Sequence, residues 1–120
     1  MYHQLLKAKI HRATVTGANV NYEGSLTLPL DLMEKAGVLP YERVLCGNMA
    51  NGARFETYAI PGEPGSGAIV LNGAVAHLGK PGDRLTIMVF ALAADPETAG
   101  WQPRVIVLDE QNRIQVERGR

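Results

Sequence analysis

Hydrophobic and polar side chains alternate over many short stretches of the chain, which is the pattern of half-buried β-strands. In residues 5–16 the polar and apolar side chains fall on opposite faces of such a strand, with Lys7, Lys9 and His11 against Leu6, Ala8 and Ile10. Further strands are predicted at residues 25–29, 42–47, 53–60, 68–71, 84–92, 104–108 and 113–117. Residues 84–92 form a nearly continuous apolar run, which predicts a strand buried on both faces.

Turn-forming residues separate these strands and leave room for short helices only. Asn51-Gly52 is the strongest turn signal, and Pro81-Gly82 is another. Asp31 is predicted to cap a short helix that ends at Gly37, and residues 72–77 are predicted to form a helical turn. Seven or eight short strands with one or two small helices predict a mainly β domain, a compact β-barrel.

Composition narrows the class of protein. The 120 residues predict a single domain, 1–120, that is large enough for a hydrophobic core. The twelve basic and twelve acidic side chains cancel, which argues against nucleic acid or an anionic membrane as partner. The single cysteine, Cys46, excludes an internal disulfide and a cysteine-based zinc site. Since no apolar run approaches the roughly 20 residues of a membrane helix, we expect a cytoplasmic protein. The single cysteine and the scattered histidines predict no bound metal.

General motifs do not name a reaction. The chain carries none of the common hydrolase, metalloprotease or nucleotide-binding patterns. Gly65-Ser66-Gly67 lacks the lysine of a phosphate-binding loop, so a flexible turn is expected there. The histidines are scattered along the chain and are expected to be surface or structural residues.

Several segments together carry a more specific signal. Lys9-Ile10-His11-Arg12 is followed by Tyr22-Glu23-Gly24-Ser25, and Asn72-Gly73-Ala74-Val75 comes later. Between them, residues 51–60 read NGARFETYAI. In this order and at these separations the segments resemble the pyruvoyl-dependent aspartate 1-decarboxylases, over a region from about Lys7 to Arg104.

The resemblance implies a six-stranded double-psi β-barrel with short helices, which assembles as a homotetramer. It also implies self-cleavage between Gly24 and Ser25, giving fragments 1–24 and 25–120. The Ser25 hydroxyl attacks the preceding carbonyl, Thr57 stabilises the oxyanion, and Ser25 becomes a covalent pyruvoyl group, the only cofactor. Glycine before this serine allows a strained turn and leaves its carbonyl open to attack.

The same resemblance implies a substrate and a set of site residues. The enzyme would convert L-aspartate to β-alanine and CO2 for pantothenate biosynthesis, with the substrate amine held on the pyruvoyl group as a Schiff base. Lys9 and Arg54 match positions that bind carboxylates, and Tyr58 matches the proton donor. The remaining matches line the site or lie near it: Thr57, Asn72, Gly73, Ala74, Val75, His11 and Tyr22.

The chain departs from the family pattern at a few positions. Asn21 stands where a histidine is usual, Pro64 where an arginine is common, and Val75 where an alanine is usual. These changes leave open how fast the chain cleaves itself and whether it needs an accessory maturation protein. Two alternatives stay open as well: a pyruvoyl decarboxylase of another amino acid, or a non-enzymatic β-barrel binding module that does not mature.

Overall fold

The computed structural model describes residues 1–119, and most of their regular structure is β-strand. The strands are β1 Tyr2–Thr14, β2 Gly17–Asn19, β3 Ser25–Pro29, β4 Arg43–Asn48, β5 Arg54–Gly62, β6 Val70–Asn72, β7 Arg84–Ala94, β8 Arg104–Leu108 and β9 Ile114–Arg118. One α-helix, α1, spans Leu30–Ala36, and two 3₁₀ helices span Gly73–Leu78 and Asp95–Glu97. No helix in this part of the chain is long and apolar enough to cross a membrane.

Hydrogen bonds join the strands in the order β2-β6-β3-β5-β4-β7-β1-β8-β9. Neighbours are antiparallel except in three pairs, β2–β6, β3–β5 and β1–β8, which are parallel. Parallel neighbours need a crossover connection, so distant parts of the sequence meet in the sheet. This order confirms the mainly β fold with short helices and is consistent with the expected double-psi β-barrel.

One hydrophobic core lies against a single face of these strands. Its fully buried members come from most of the strands and include Ile10, Leu26, Leu28, Val44, Leu71, Leu85, Ile87, Ile106 and Leu108. Burying each of these side chains contributes about 1.5–3 kcal/mol. The core therefore fixes the register of every central strand, since a slip by one residue would turn the apolar side chains outward.

Several predicted strands are confirmed, and their ends shift where the backbone departs from a regular strand. β3 and β8 have the predicted bounds. β1 begins at Tyr2, before the predicted start, and contains irregularities next to Ala8 and Ala13. Arg12 lies in the second of these with a φ of 64°, a left-handed conformation that is uncommon for a residue with a side chain. β2 was not predicted, because three residues are too few to show an alternating pattern.

The prediction that Asp31 caps α1 is wrong. The helix begins at Leu30, two residues before the start that a cap at Asp31 predicts and directly after Pro29, the last residue of β3, and it has no side-chain cap. Asp31 lies in the first turn, where its carboxylate accepts a hydrogen bond from the Gly65 N–H at 2.9 Å. The predicted end is confirmed, since Gly37 adopts a left-handed φ of 78°.

The prediction that residues 84–92 are buried on both faces is wrong for this chain by itself. Along β7, Leu85, Ile87 and Val89 are buried, and the residues between them are not. Phe90 is 41% exposed and Leu92 is 72% exposed. An apolar run predicts two buried faces only if something covers both, and here the core covers one.

A buried carboxylate links β4 to the loop before β7. The Asn48 amide donates to Asp83 Oδ2 at 3.0 Å and to the Leu78 carbonyl at 3.0 Å. The Lys80 N–H also donates to Asp83 Oδ2, at 3.1 Å. These hydrogen bonds hold the pKa of Asp83 below its ordinary value, and the bond from Asn48 has the largest effect. Burial acts in the opposite direction and raises the pKa.

We expect Asp83→Ala to lower the stability by about 1–3 kcal/mol near neutral pH, because buried donors lose their acceptor. A carboxylate whose pKa is lowered by folding stabilises the native state above its unfolded pKa, and this contribution disappears as the pH falls through the folded pKa. The difference between wild type and variant should therefore shrink below about pH 4. Thermal unfolding of both proteins at several pH values measures this difference in stability. An equal difference at every pH would contradict a role for the Asp83 charge.

Candidate active site

Ser25 begins β3 and lies directly opposite Asn72, the last residue of β6. Both side chains are buried, with exposed fractions of 1% and 4%. The Asn72 amide nitrogen donates to Ser25 Oγ at 3.1 Å, and the Ser25 hydroxyl donates to the Glu23 carbonyl at 3.1 Å. The hydroxyl oxygen is thus held between a donor and an acceptor at a defined position beside the Gly24–Ser25 peptide bond.

The backbone around Gly24 depends on a second glycine. Gly73 has a φ of 74°, and a Cβ at this position would lie 2.6 Å from Gly24 Cα and 2.8 Å from Gly24 N. Only glycine allows that approach. Gly24 itself lies outside the left-handed region, and a Cβ there would meet nothing within 4 Å. Gly24 therefore does not adopt a left-handed turn. The left-handed glycine of this region is Gly73, and at Gly24 the missing side chain leaves open space.

Tyr58 lies close to Ser25 in the sheet. β3 and β5 run parallel with Leu26 paired to Ala59, so the preceding residues, Ser25 and Tyr58, are neighbours. The Tyr58 ring contacts Tyr41, with 6.3 Å between the ring centres. The sheet thus pairs the candidate serine with the amide that holds it, and the backbone of Tyr58 lies on the neighbouring strand. The role of Tyr58 as proton donor stays a prediction.

Thr57 lies on the other face of β5. Successive side chains of a strand alternate, and Phe55 and Ala59, two residues to either side of Thr57, are buried in the core. Within residues 1–119 the Thr57 hydroxyl forms no hydrogen bond to Gly24 or Ser25. Its assignment to the oxyanion stays a prediction.

The candidate cations lie on the face of β5, β4, β7 and β1 that is turned away from the core, called the outer face below. Lys9 pairs with Met88, Met88 with Leu45, and Leu45 with Glu56. Lys9 is therefore three strands from the strand that carries Arg54, about 14 Å along the sheet. Lys9 and Arg54 thus lie on well-separated strands of the outer face in one chain. Neither cation has a carboxylate within ion-pair distance among the residues that the structure describes.

His11 also lies on the outer face. Its Nδ1 is 3.4 Å from the Thr86 hydroxyl. Burial lowers the pKa of His11, and the positive charges of Lys9, Arg12 and Arg118 lower it further. The imidazole is therefore neutral near pH 7, in a region whose charge favours anions.

The remaining predicted site residues follow Asn72 or flank Gly24. Ala74 is exposed and Val75 packs against the core, both in the 3₁₀ helix Gly73–Leu78. The side chain of Asn72 does not cap this helix, since its amide points to Ser25. Tyr22 is 53% exposed, and its carbonyl would lie 3.2 Å from a Cβ on Gly73.

Two residues that the sequence did not single out belong to this arrangement. Thr27 Oγ1 accepts the second hydrogen bond of the Asn72 amide, at 2.9 Å. The Thr27 methyl group occupies the space above Gly62, where a Cβ would approach it to 2.8 Å. Alternation along β3 could have placed Thr27 on the same face as Ser25, but nothing in the sequence indicates the contact with Gly62.

A cavity of about 460 Å³ opens on the outer face and is lined by Gln4, Arg43, Leu45, Glu56, Met88 and Phe90. In residues 1–119, no cluster of histidine, cysteine and carboxylate side chains could hold a metal ion. The chemistry that the site offers is that of a fixed hydroxyl and an amide donor.

Comparisons with known proteins show the family of this chain. A family model described as aspartate decarboxylase matches residues 1–115. A protein of Desulfotalea psychrophila named aspartate 1-decarboxylase is 54% identical over 114 residues, 95% of this chain and 96% of that protein. The protein of the same name from Bacillus subtilis is 50% identical over 115 residues, 96% of this chain and 91% of that protein. The chain belongs to the aspartate decarboxylase family.

Proposed function

We propose that this chain decarboxylates L-aspartate to β-alanine and CO2, using a pyruvoyl group that it makes by cleaving itself at Gly24–Ser25. The observation that carries this proposal is the buried Ser25 hydroxyl, held by the Asn72 amide beside an unobstructed Gly24. The relatives named aspartate 1-decarboxylase support the choice of substrate. A role in pantothenate biosynthesis and a cytoplasmic location are part of the same proposal.

Self-cleavage uses groups that are already in place. Ser25 Oγ adds to the Gly24 carbonyl carbon, the C–N bond breaks, and the hydroxyl proton ends on the Ser25 nitrogen, which leaves an ester. Loss of the Ser25 Cα proton then breaks the Cβ–Oγ bond and releases the Gly24 carboxylate. The dehydroalanine that remains takes up water and loses ammonia, which converts residue 25 to a pyruvoyl group.

The surroundings of Ser25 fit such a group. Oγ accepts a hydrogen bond from the Asn72 amide before cleavage and departs with Gly24. The amide N–H then becomes free to donate to a carbonyl oxygen at residue 25. A pyruvoyl ketone supplies an electrophile for the substrate amine and takes up the electron pair that decarboxylation releases. The burial of residue 25 excludes water, which strengthens every polar interaction at this position.

The other residues recognise the substrate and move a proton. Arg54 binds a carboxylate of aspartate through its planar fork, and Lys9 adds a second positive charge. Tyr58 donates a proton to the substrate carbon after CO2 has left, which its position beside residue 25 supports.

A homotetramer is part of the proposal. Lys9 and Arg54 are three strands apart in one chain, which favours a site that a second copy helps to complete. The exposed apolar side chains of β7, Phe90 and Leu92, supply a surface that another copy can cover. An accessory maturation protein stays a prediction, based on Asn21 and Pro64.

The first expectation concerns the covalent structure. Purified protein, once denatured, should separate into fragments 1–24 and 25–120, and the larger fragment should be lighter by one ammonia than a fragment that starts with serine. Intact-mass measurement detects both features. Ser25→Ala lacks the attacking hydroxyl and should stay one inactive chain. Decarboxylation by this variant at the wild-type rate would disprove the pyruvoyl assignment.

Substrate recognition is tested with the two cations. Arg54→Ala and Lys9→Ala should each weaken aspartate binding by roughly 2–5 kcal/mol, because a desolvated carboxylate loses a charged partner. KM for aspartate measures the loss in cleaved enzyme. Arg113→Ala is the control, since Arg113 pairs with Asp109 on another part of the surface. An unchanged KM in both site variants would make these residues ordinary surface charges, and faster turnover of glutamate than aspartate would change the substrate.

Tyr58→Phe separates maturation from turnover. The variant keeps the aromatic ring and loses only the hydroxyl, so it should fold and cleave but lose roughly 10²–10⁴ in kcat, the usual contribution of a general acid. Tyr41→Phe is the matched control, because Tyr41 contacts the Tyr58 ring from the side of β4. Near-normal β-alanine production by Tyr58→Phe would move the proton donor elsewhere, and a variant that never cleaves would make Tyr58 a maturation residue.

A further inference from the structure

The Asn72 amide connects Ser25 to a residue outside the proposed machinery. Its nitrogen donates to Ser25 Oγ at 3.1 Å and to Thr27 Oγ1 at 2.9 Å. The two hydrogens of an amide nitrogen lie in one plane at a fixed angle, so the direction of one bond sets the direction of the other. Thr27 therefore influences where the amide meets the Ser25 hydroxyl.

Gly62 in turn restricts Thr27. A Cβ on Gly62 would lie 2.8 Å from Thr27 Cγ2, and its next contact, with the Leu28 carbonyl oxygen, would be an ordinary 3.5 Å. Glycine at this position gives the Thr27 methyl group its space, and no left-handed φ requires it. Because a β-branched side chain has few χ1 rotamers, seating the methyl group over Gly62 leaves the hydroxyl directed at Asn72.

We infer that Thr27 and Gly62 are positioning residues for self-cleavage, and that they act on the Ser25 hydroxyl through the Asn72 amide. This inference rests on the proposed function. Thr27 and Gly62 touch no reacting atom. Gly62 selects the Thr27 rotamer, Thr27 orients the amide, and the amide holds Ser25 Oγ beside the Gly24 carbonyl carbon.

The physical reason lies in the precision that intramolecular attack requires. A displacement of about 1 Å from the reactive geometry can cost on the order of 100-fold in rate. The Ser25 hydroxyl has two partners, the Asn72 amide and the Glu23 carbonyl. If the amide turns away, the oxygen keeps only the bond that directs its proton to Glu23. The backbone ladders of β3 with β5 and β6 do not depend on the Thr27 hydroxyl, so the fold should survive its loss.

The test follows self-cleavage of the full chain after cell-free synthesis, by intact mass at timed intervals. Thr27→Val keeps the shape of the side chain but removes the acceptor, and it should slow cleavage by roughly 10–100-fold. Thr27→Ser keeps the hydroxyl and should cleave near the wild-type rate. Gly62→Ala should slow cleavage as Thr27→Val does, because the new methyl group forces Thr27 to turn.

A double variant gives the sharpest result. Gly62→Ala with Thr27→Ser removes the methyl group that the new Cβ would strike, so cleavage should recover relative to Gly62→Ala alone. Gly17→Ala is the matched control, since its Cβ would meet Val70 at an ordinary 3.6 Å in another strand. Its cleavage rate should equal that of the wild type. Thermal unfolding of each uncleaved chain, with Ser25→Ala added, shows that the variants fold.

Each contrary outcome has a definite meaning. Wild-type cleavage rates in Thr27→Val and Gly62→Ala would overturn the inference and leave the proposed function intact. Equal slowing in Thr27→Ser and Thr27→Val, with equally lowered melting temperatures, would make Thr27 merely structural. A double variant no faster than Gly62→Ala would break the link between the two residues. A wild-type chain that never cleaves would overturn both the proposed function and the inference.

Discussion

The strand β3 determines the geometry of the site, because one of its neighbours runs parallel to it and the other antiparallel. β3 pairs antiparallel with β6, which sets Ser25 against Asn72, and parallel with β5, which sets it beside Tyr58. The buried residues Leu26, Leu71 and Ala59 occupy the next row and fix this register from the core side. A one-residue slip of either pair would bury polar groups and expose apolar ones, so the site is as stable as the core beneath it.

The buried polar groups of this region are all satisfied, and that has consequences for reactivity. Among residues 1–119, no buried side-chain nitrogen or oxygen lacks a hydrogen-bond partner. The Ser25 proton is directed at the Glu23 carbonyl, which is a weak base, so the hydroxyl is positioned but not strongly activated. Such a site suits a reaction that each chain performs once, because placement contributes to the rate without a charged base that would be costly to bury.

The candidate cations and the candidate nucleophile lie in different environments. The cations of the outer face are solvent-accessible and far apart along the sheet, whereas Ser25 is buried. Burial lowers the pKa of His11, and the positive charges of Lys9, Arg12 and Arg118 lower it further. In the proposed function, recognition of the substrate carboxylates therefore depends on lysine and arginine rather than on a protonated histidine.

The sequence by itself determined the class of fold, the strands with clear alternation and the glycine that ends α1, because these depend on local pattern and backbone freedom. Its family resemblance also named Ser25 and Asn72, which the structure pairs, and Tyr58, whose backbone lies on the next strand. The sequence-based prediction was wrong at Asp31, because strand pairing through Pro29 left no residue free to cap the helix. It was also wrong at β7, because an apolar run does not say what covers the second face of the strand. The contact of Gly73 with Gly24 and that of Thr27 with Gly62 were decided by the tertiary structure alone. Residues so far apart in the sequence meet only through strand pairing and crossover connections, which no local pattern encodes.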